Sequence, residues 1–388
     1  MDKKIRLRIG LIGGGFMGKA HSNAYHSIPY IFHSGGYVPY LATLSAMTED
    51  EAIAAAERYG FANATADYLQ VVNDPNIDVI DVCTSDSTHK EIALAALKGG
   101  KHVLCEKPLA TNLRDAYELA LEERSSSKAS MCGFNYRFTP AVRLAKTLID
   151  RGVIGKLYSF HGVYNQESGA SEDIPYERLS YAYGSKSSGA AYQIGTHVID
   201  MARYLIGDIE SVMGEIRTCN KQRQSSSGMV DIDADEEMLA IVTFAGGTWG
   251  TLRSSVMASG RKNQHAWEIN GSKGSLVFDM EDANFLSVYL EAGLIPEVNG
   301  FTRVNVTQMA KGHPFAEYWW PQGHGLGWEH AHINEIAHFL HCAANDEPVA
   351  PHGATFEDGY RAILVVEAVR LSSEQGRKVY LSELDCLA

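Results

Sequence analysis

The feature that most restricts the fold lies near the start of the chain. There the apolar run Ile5–Ile12 meets Gly13-Gly14-Gly15-Phe16-Met17-Gly18 and continues into a helix-like stretch through Ser27. This order of strand, G-x-G-x-x-G and helix gives each glycine a task. Gly13 turns the chain tightly, Gly15 lets the backbone approach a pyrophosphate, and Gly18 lets helix and strand pack closely. Phe16 and Met17, between the last two glycines, are expected to border the same dinucleotide.

The next residues repeat the alternation. An aromatic stretch, Pro29–Pro39, interrupts the first unit. A strand Tyr40–Ala46 follows, then a helix Glu49–Tyr59 stopped by Gly60, a short helix Asp67–Asn73, an apolar strand Val79–Cys83 and a helix His89–Lys98 stopped by Gly99. After the strand that opens His102–Leu109 come a helix Asn112–Ser126 and a strand Ala129–Gly133. Strands alternating with helices predict an α/β doubly wound parallel sheet, a Rossmann domain over residues 1–134. In His102–Leu109, Pro108 removes a backbone donor and holds Lys107 extended, so Glu106 and Lys107 belong on the carboxyl rim of the strand, where open parallel sheets bind ligands. Ser45, Thr84, Ser85, His89 and Asn135 are the other expected cofactor contacts on that rim; Thr88 equally suits a helix N-cap. The dinucleotide fingerprint predicts an acid about 20 residues after the glycines. Between Gly18 and Glu49 there is none, and Lys19 is the only cation there. Glu49, Asp50 and Glu51 would repel a 2′-phosphate, which favours NAD over NADP.

A chain of 388 residues exceeds one ordinary core, so a second domain is expected over residues 135–388. After a helix Pro140–Arg151, strand-like runs Leu157–Tyr164, Ser211–Arg217, Met238–Phe244, Thr248–Ser255, Ala266–Gly271, Ser275–Asp279 and Phe285–Tyr289 are joined by short turns. They predict an α+β domain with a large, mostly antiparallel open sheet. Helices His197–Ile206, Trp328–Ala344 and Thr355–Glu374 and a last strand Val379–Leu381 complete it, with the C-terminal helix placed to pack back on the first domain. Three stretches resist that scheme: Asn165–Ala190, Asn220–Asp235 and Thr307–Gly327. The second reads as a surface excursion; the first and third, with Trp319, Trp320, His313 and His324, are expected to border a ligand.

Composition narrows the partners. The 34 Lys and Arg against 47 Asp and Glu give a net charge of −13 with no basic cluster, which argues against nucleic acid. The opening MDKKIRLRIG has too short an apolar run for a signal peptide or a membrane span. Six cysteines without CxxC spacing are expected as buried free thiols in a reducing cytoplasm. His330, Asn334, His338 and His341 share a helical face, but with no Cys or Asp joining them a polar face explains the pattern and no metal is expected.

Gly13–Gly18, Glu106-Lys107-Pro108, Tyr136-Arg137 and Gly195-Thr196-His197-Val198-Ile199-Asp200 together resemble the Gfo/Idh/MocA oxidoreductases, the family of glucose-fructose oxidoreductase and inositol dehydrogenase, in order over nearly the whole chain. Trp319–Trp328 and Thr196–Tyr204 are more narrowly similar to sugar and anhydrosugar dehydrogenases of the levoglucosan dehydrogenase type. The resemblance implies a Rossmann domain holding a nicotinamide cofactor, a carbohydrate or polyol substrate, and a homo-oligomer (dimer or tetramer) packed through its open sheet. It also matches Lys107 and His197 to the catalytic lysine and histidine of the family. The aspartate that usually precedes this histidine by four residues is Gln193 here.

Oxidising a secondary alcohol needs a donor to hold the oxygen and a base for its proton. Lys107 supplies a three-donor ammonium, and His197 an imidazole, whose unperturbed pKa lies near working pH. His197 is expected at a helix start, whose positive end favours the neutral imidazole. Gln193 can hydrogen-bond a hydroxyl but cannot share its proton. Tyr136, Arg137, Tyr164, Trp319, Trp320, His324 and Trp328 offer flat faces with polar edges that suit a sugar ring. The expected activity is NAD-dependent oxidation of a secondary hydroxyl of a sugar, glycoside or cyclitol to the ketone. Two alternatives stay open: redox-neutral glycoside cleavage through transient oxidation, and a non-catalytic NAD- and sugar-binding regulator.

Overall fold

The computed structural model describes residues 4–32, 35–183, 189–293, 299–308 and 315–385. They form two compact units, residues 1–139 with 327–360 and residues 140–326 with 361–388.

The first unit opens with β1 (Ile5–Ile12), α1 (Phe16–Ile31), β2 (Tyr37–Ser45), α2 (Glu49–Tyr59), β3 (Asn63–Thr65), α3 (Tyr68–Asn73), β4 (Val79–Val82), α4 (Asp86–Lys98), β5 (His102–Cys105), α5 (Leu113–Ser125) and β6 (Ser130–Cys132). The six strands pair in parallel in the order β3-β2-β1-β4-β5-β6. Strand order reverses between β1 and β4, and in such sheets the ligand crevice opens beyond the carboxyl ends at that point. Strands β4, β5 and β6 are buried along their whole length, as helices on both faces require. Local chemistry sets the helix ends. Thr48 accepts from the Glu51 backbone N–H at the start of α2, and Gly60 closes it in the left-handed region. Helix α4 begins at Asp86 behind Ser85, three residues before the expected start; Thr88 lies inside it and donates to the Thr84 hydroxyl.

The second unit continues with α6 (Pro140–Asp150), β7 (Leu157–Asn165), α7 (Tyr176–Tyr183), α8 (Thr196–Ile206), β8 (Ile209–Arg217), β9 (Gln222–Ser225), β10 (Gly228–Asp231), β11 (Glu237–Phe244), β12 (Trp249–Ser255), β13 (Gln264–Gly271), β14 (Gly274–Asp279), β15 (Phe285–Leu290) and β16 (Thr302–Asn305). With the late strand β17 (Val379–Tyr380) they make a nine-stranded sheet in the order β16-β15-β14-β13-β7-β12-β11-β8-β17, apart from the β9–β10 hairpin. Only β7 and β12 pair in parallel; the other neighbours are antiparallel. Helix α8 covers the sheet at Gly162, where a Cβ would stand 2.8 Å from the Val198 side chain.

Asn220–Asp235 is the expected surface excursion, outside the nine-stranded sheet and half of its residues exposed, but it is ordered. It folds as the β9–β10 hairpin and carries a buried arginine, Arg223, paired with the equally buried Glu236. Polarity alone concealed this, because a guanidinium satisfied by a carboxylate and carbonyls can be buried.

Helix α9 (Trp328–Asn345) returns to the first unit, where Tyr37 donates to the Ala337 carbonyl at 2.6 Å and Asn334 to the Phe138 carbonyl at 3.1 Å. Helix α10 (Phe356–Gln375) follows. The α9 histidines that share one face have protein partners: His338 meets the Val349 carbonyl, His330 accepts from the Gly327 N–H and His341 pairs with Glu347. Cys83, Cys105, Cys132 and Cys342 are buried free thiols, whereas Cys219 is exposed at the end of β8, against expectation; His313 and Cys386 lie outside the described residues. Among the described residues no helix is long and apolar enough to cross a membrane.

Candidate active site

The glycine loop has the geometry of a phosphate cradle. Gly13 has φ 108°, and a Cβ there would sit 2.5 Å from the Cys83 carbonyl oxygen. On Gly18 a Cβ would come within 2.0 Å of the Gly13 oxygen, whereas on Gly15 it would meet nothing within 4 Å. Gly15 is also the N-cap of α1, with no side chain capping the helix, so the backbone donors of the first turn stay available to an anion. Phe16 is exposed and Met17 follows it in that turn. Ser45 anchors the loop from β2, its carbonyl accepting from Gly13 N–H at 2.8 Å. At the end of β6 Asn135 is buried, and its Nδ2 has no hydrogen-bond partner among the described residues. An open methyl-sized space at Gly15 and an orphaned buried amide fit a bound dinucleotide. The α2 acids lie beyond β2, where Glu49 accepts from the Ala66 N–H. Thr84 and Ser85 stand between β4 and α4. His89 is more structural than expected: its ring nitrogens face the Pro108 and Thr84 carbonyls at 2.8 and 3.1 Å, bracing the turn after β5.

Lys107 occupies that turn, one residue past Glu106 and before a cis peptide bond to Pro108. Burial lowers the pKa of its ammonium against the opposing pull of Glu106 and Asp86. Glu106 is 3% exposed and turns inward. Its Oε1 accepts from His21 Nε2 at 3.1 Å and its Oε2 from the Lys107 backbone N–H at 3.1 Å. His21, on α1, donates through Nδ1 to Asp81 at 3.0 Å, and Tyr25 donates to Asp81 at 2.8 Å. The tilted ring of His332, on α9, lies 5.5 Å from that of His21. Sequence reasoning missed this cluster, although two signals were present. Asp81 interrupts a strand taken as wholly apolar, and His21 and Tyr25 are four residues apart on α1. His21 lies with Asp81 and Cys83, and with His332 and Glu335, within 4.8 Å, and its two ring nitrogens are taken up by Asp81 and Glu106.

The second unit places His197 on α8, with the Tyr164 ring 5.7 Å away. Tyr164 stacks on His265 at 5.1 Å and donates to Asn263 at 2.8 Å. Burial pushes His265 down to about 3, so its imidazole is neutral. His265 is a further ring beside His197 that no sequence motif marks. The expectation that His197 begins a helix is corrected. A π-helical turn, Ala191–Gly195, precedes α8, and the Ala190 and Ala191 N–H groups donate to the Asp235 carbonyl and carboxylate. The positive end of the run is therefore at Ala190 and already capped by an acid. Gln193 lies in the π-helical turn, four residues before His197.

The residues of the expected aromatic lining belong to both units. Tyr136 and Arg137 are buried in the first unit, where Arg137 pairs with Asp358 and donates to the Gly353 carbonyl, both at 3.3 Å. Trp328 belongs there too, stacked on Phe16 at 5.5 Å and edge-on to His332 at 4.4 Å. In the second unit Trp319 is buried, Trp320 is half exposed against it, and His324 bonds the Pro321 carbonyl.

Residues 7–134 match the model of the oxidoreductase family with an NAD-binding Rossmann fold, and residues 142–277 that of the GFO/IDH/MocA C-terminal domain. The chain is 36% identical to levoglucosan dehydrogenase of Pseudarthrobacter phenanthrenivorans, covering 94% of this chain and 95% of that one. It is 27% identical to myo-inositol 2-dehydrogenase of Thermotoga maritima, over 97% and 99%. A solved levoglucosan dehydrogenase in complex with NADH and L-sorbose superposes with a TM-score of 0.92 at 36% identity, over 97% of this chain and 99% of that one.

Proposed function

Since the chain belongs to the Gfo/Idh/MocA oxidoreductases, whose N-terminal domain is an NAD-binding Rossmann fold, we propose that it oxidises a secondary hydroxyl of a sugar, anhydrosugar or cyclitol to the ketone with NAD. The observation that carries this reading is Lys107, a part-buried lysine of lowered pKa on the rim of β5 in the unit that bears the glycine cradle. The full-length similarity to a levoglucosan dehydrogenase supports the substrate class.

When bound, NAD supplies the acceptor for the hydride. The open Gly15 and the donors opening α1 hold its pyrophosphate, with Thr84, Ser85 and Asn135 as further contacts. Lys107 donates a hydrogen bond to the substrate oxygen and stabilises the charge that grows there as its proton leaves. His197 takes that proton, on a ring set beside Tyr164 and His265. Gln193 orients a neighbouring hydroxyl. Tyr136, Arg137, Tyr164, Trp320 and Trp328 complete the proposed substrate contacts, with Arg137 acting mainly as a brace through Asp358.

The test mixes the enzyme and NAD with a panel of anhydrosugars, pyranoses and cyclitols and follows absorbance of the reduced nicotinamide. Turnover that Lys107→Ala abolishes while NADH binding persists is the expected result. No turnover with any of these, nor in reverse with ketosugars, rejects the reading. Aglycone release without net NAD reduction points to redox-neutral cleavage instead.

The same proposal includes a homo-oligomer. Met213, Leu239, Ile241 and Trp249 are each at least half exposed and share one face of β8, β11 and β12, as the pairing of Ile241 with Met213 and of Thr243 with Trp249 requires. An apolar patch of this kind on a sheet supports that reading. The buried free thiols support a cytoplasmic setting.

A further inference from the structure

Both ring nitrogens of His21 face carboxylates, Nδ1 the Asp81 pair at 3.0 Å and Nε2 the Glu106 Oε1 at 3.1 Å. Facing two ionised carboxylates, which only accept, each nitrogen donates and the ring is an imidazolium, the form favoured by a pKa raised well above the ordinary histidine value. All three side chains are almost wholly buried. Two carboxylates thus share one buried cation, and Lys107 is the other cation beside them.

We propose that His21 is a positioning residue for Lys107: pinned by Asp81, it keeps Glu106 ionised, and ionised Glu106 both fixes the Lys107 backbone and keeps the Lys107 ammonium charged. This rests on the reading of Lys107 as the hydroxyl donor.

The surroundings leave His21 little freedom. From its own helix Tyr25 donates to Asp81. From β4, Cys83 donates to Asp81 at 3.4 Å and lies 3.3 Å from His21 Nδ1. From α9, His332 lies against the His21 ring, with Glu335 3.4 Å from His332. Burial holds His332 at about 3, so it adds no competing positive charge. Gly133, just past β6, packs close to Glu106, where a Cβ would stand 2.9 Å from Oε1.

The energetics run the same way. Burial alone would depress the His21 imidazole, but Asp81 and Cys83 raise it well above the ordinary histidine range. Burial alone would raise Glu106, yet the hydrogen bond and charge of His21, with Lys107, hold it at about 2. Around Lys107 the groups that favour its charged form are Glu106, Asp86 and Cys132, against burial. Without His21, burial dominates at Glu106, which takes up a proton. Lys107 then loses the largest charge that favours its ammonium and becomes easier to deprotonate.

The test needs no substrate. The pH dependence of acylation of Lys107 by a water-soluble amine reagent, read by peptide mass spectrometry on the folded chain, gives the apparent pKa of Lys107. Glu106→Gln and His21→Gln are each expected to lower it by about one unit or more. The double variant should match Glu106→Gln alone, because His21 acts through Glu106. With a substrate in hand, the alkaline limb of kcat should move down by the same amount while KM for NAD changes little. An unchanged Lys107 in His21→Gln, or additive shifts in the double variant, overturns the proposal. If His21→Gln does not fold, Asp81→Asn keeps the ring and should shift Lys107 in the same direction; no shift there is equally fatal. Because labelling is independent of turnover, an enzyme inactive on every sugar defeats the proposed activity and leaves the labelling result to decide the network.

Discussion

Gly15→Ala should separate cofactor binding from folding. The new methyl meets nothing within 4 Å, and Gly15 has φ −75°, which any L-residue adopts. Stability should change by no more than about 1 kcal/mol, as for an N-cap replacement. The methyl nevertheless stands where a phosphate would approach the backbone. Loss of one hydrogen bond to a charged group costs about 1.5–3 kcal/mol, so NADH should bind about 10- to 150-fold more weakly. Gly18→Ala should behave in the opposite order. Its Cβ would overlap the Gly13 oxygen at 2.0 Å and the Leu11 side chain at 3.3 Å, an overpacking that costs about 1–3 kcal/mol or more. At about 2–4 °C per kcal/mol for a unit of this size, the melting temperature should fall by several degrees before any ligand is added. NADH fluorescence titrations and thermal melts on both variants make the comparison. NADH binding to Gly15→Ala within threefold of the parent, or an unchanged melting temperature for Gly18→Ala, refutes the assignment of tasks to these glycines.

Three other outcomes are expected. Arg223→Met leaves Glu236 buried without its cation and frees the Gly169 and Ser171 carbonyls, which should cost about 3–5 kcal/mol in urea unfolding; a loss below about 1 kcal/mol contradicts the buried pair. Glu106 sits at about 2 in the folded chain against an ordinary 4.5, so its ionised form stabilises the fold above pH 4.5 and that contribution is lost as pH falls from 4.5 towards 2. Melting curves of Glu106→Gln should therefore show a shallower acid decline than the parent over that window, and parallel curves would exclude it. Gln193→Asp puts a carboxylate four residues before His197, which favours the protonated ring and should move the acid limb of the kcat profile upward by about one pH unit; no movement would place residue 193 away from the base.

The parallel domain was legible because its signals are local. Each turn of the glycine loop, each helix stop such as Gly60, and the Pro108 break act within a few residues, and the strand and helix periods survive translation into structure. The helix carrying His197 was legible in existence and not in extent, because the π-helical turn Ala191–Gly195 depends on Asp235, 40 or so residues downstream. The β9–β10 hairpin looked like loop because hydropathy scores Arg223 as exposed. Its carboxylate partner, Glu236, lies beyond the hairpin, and only pairing offsets the cost of burial.

The sequence by itself determined the glycine loop, the strand-end position of Lys107 and the two sheets, one parallel and one mostly antiparallel, since these follow from glycine geometry, proline chemistry and apolar periodicity. Tertiary structure alone decided what stands behind Lys107. His21 and Asp81 come from α1 and β4, Glu106 follows β5 and His332 lies on α9, and the charges of His21 and Glu106 depend on one another in a buried setting. Burial and opposite charge compete there over a few ångströms, and that balance is a property of distances that residue order does not encode.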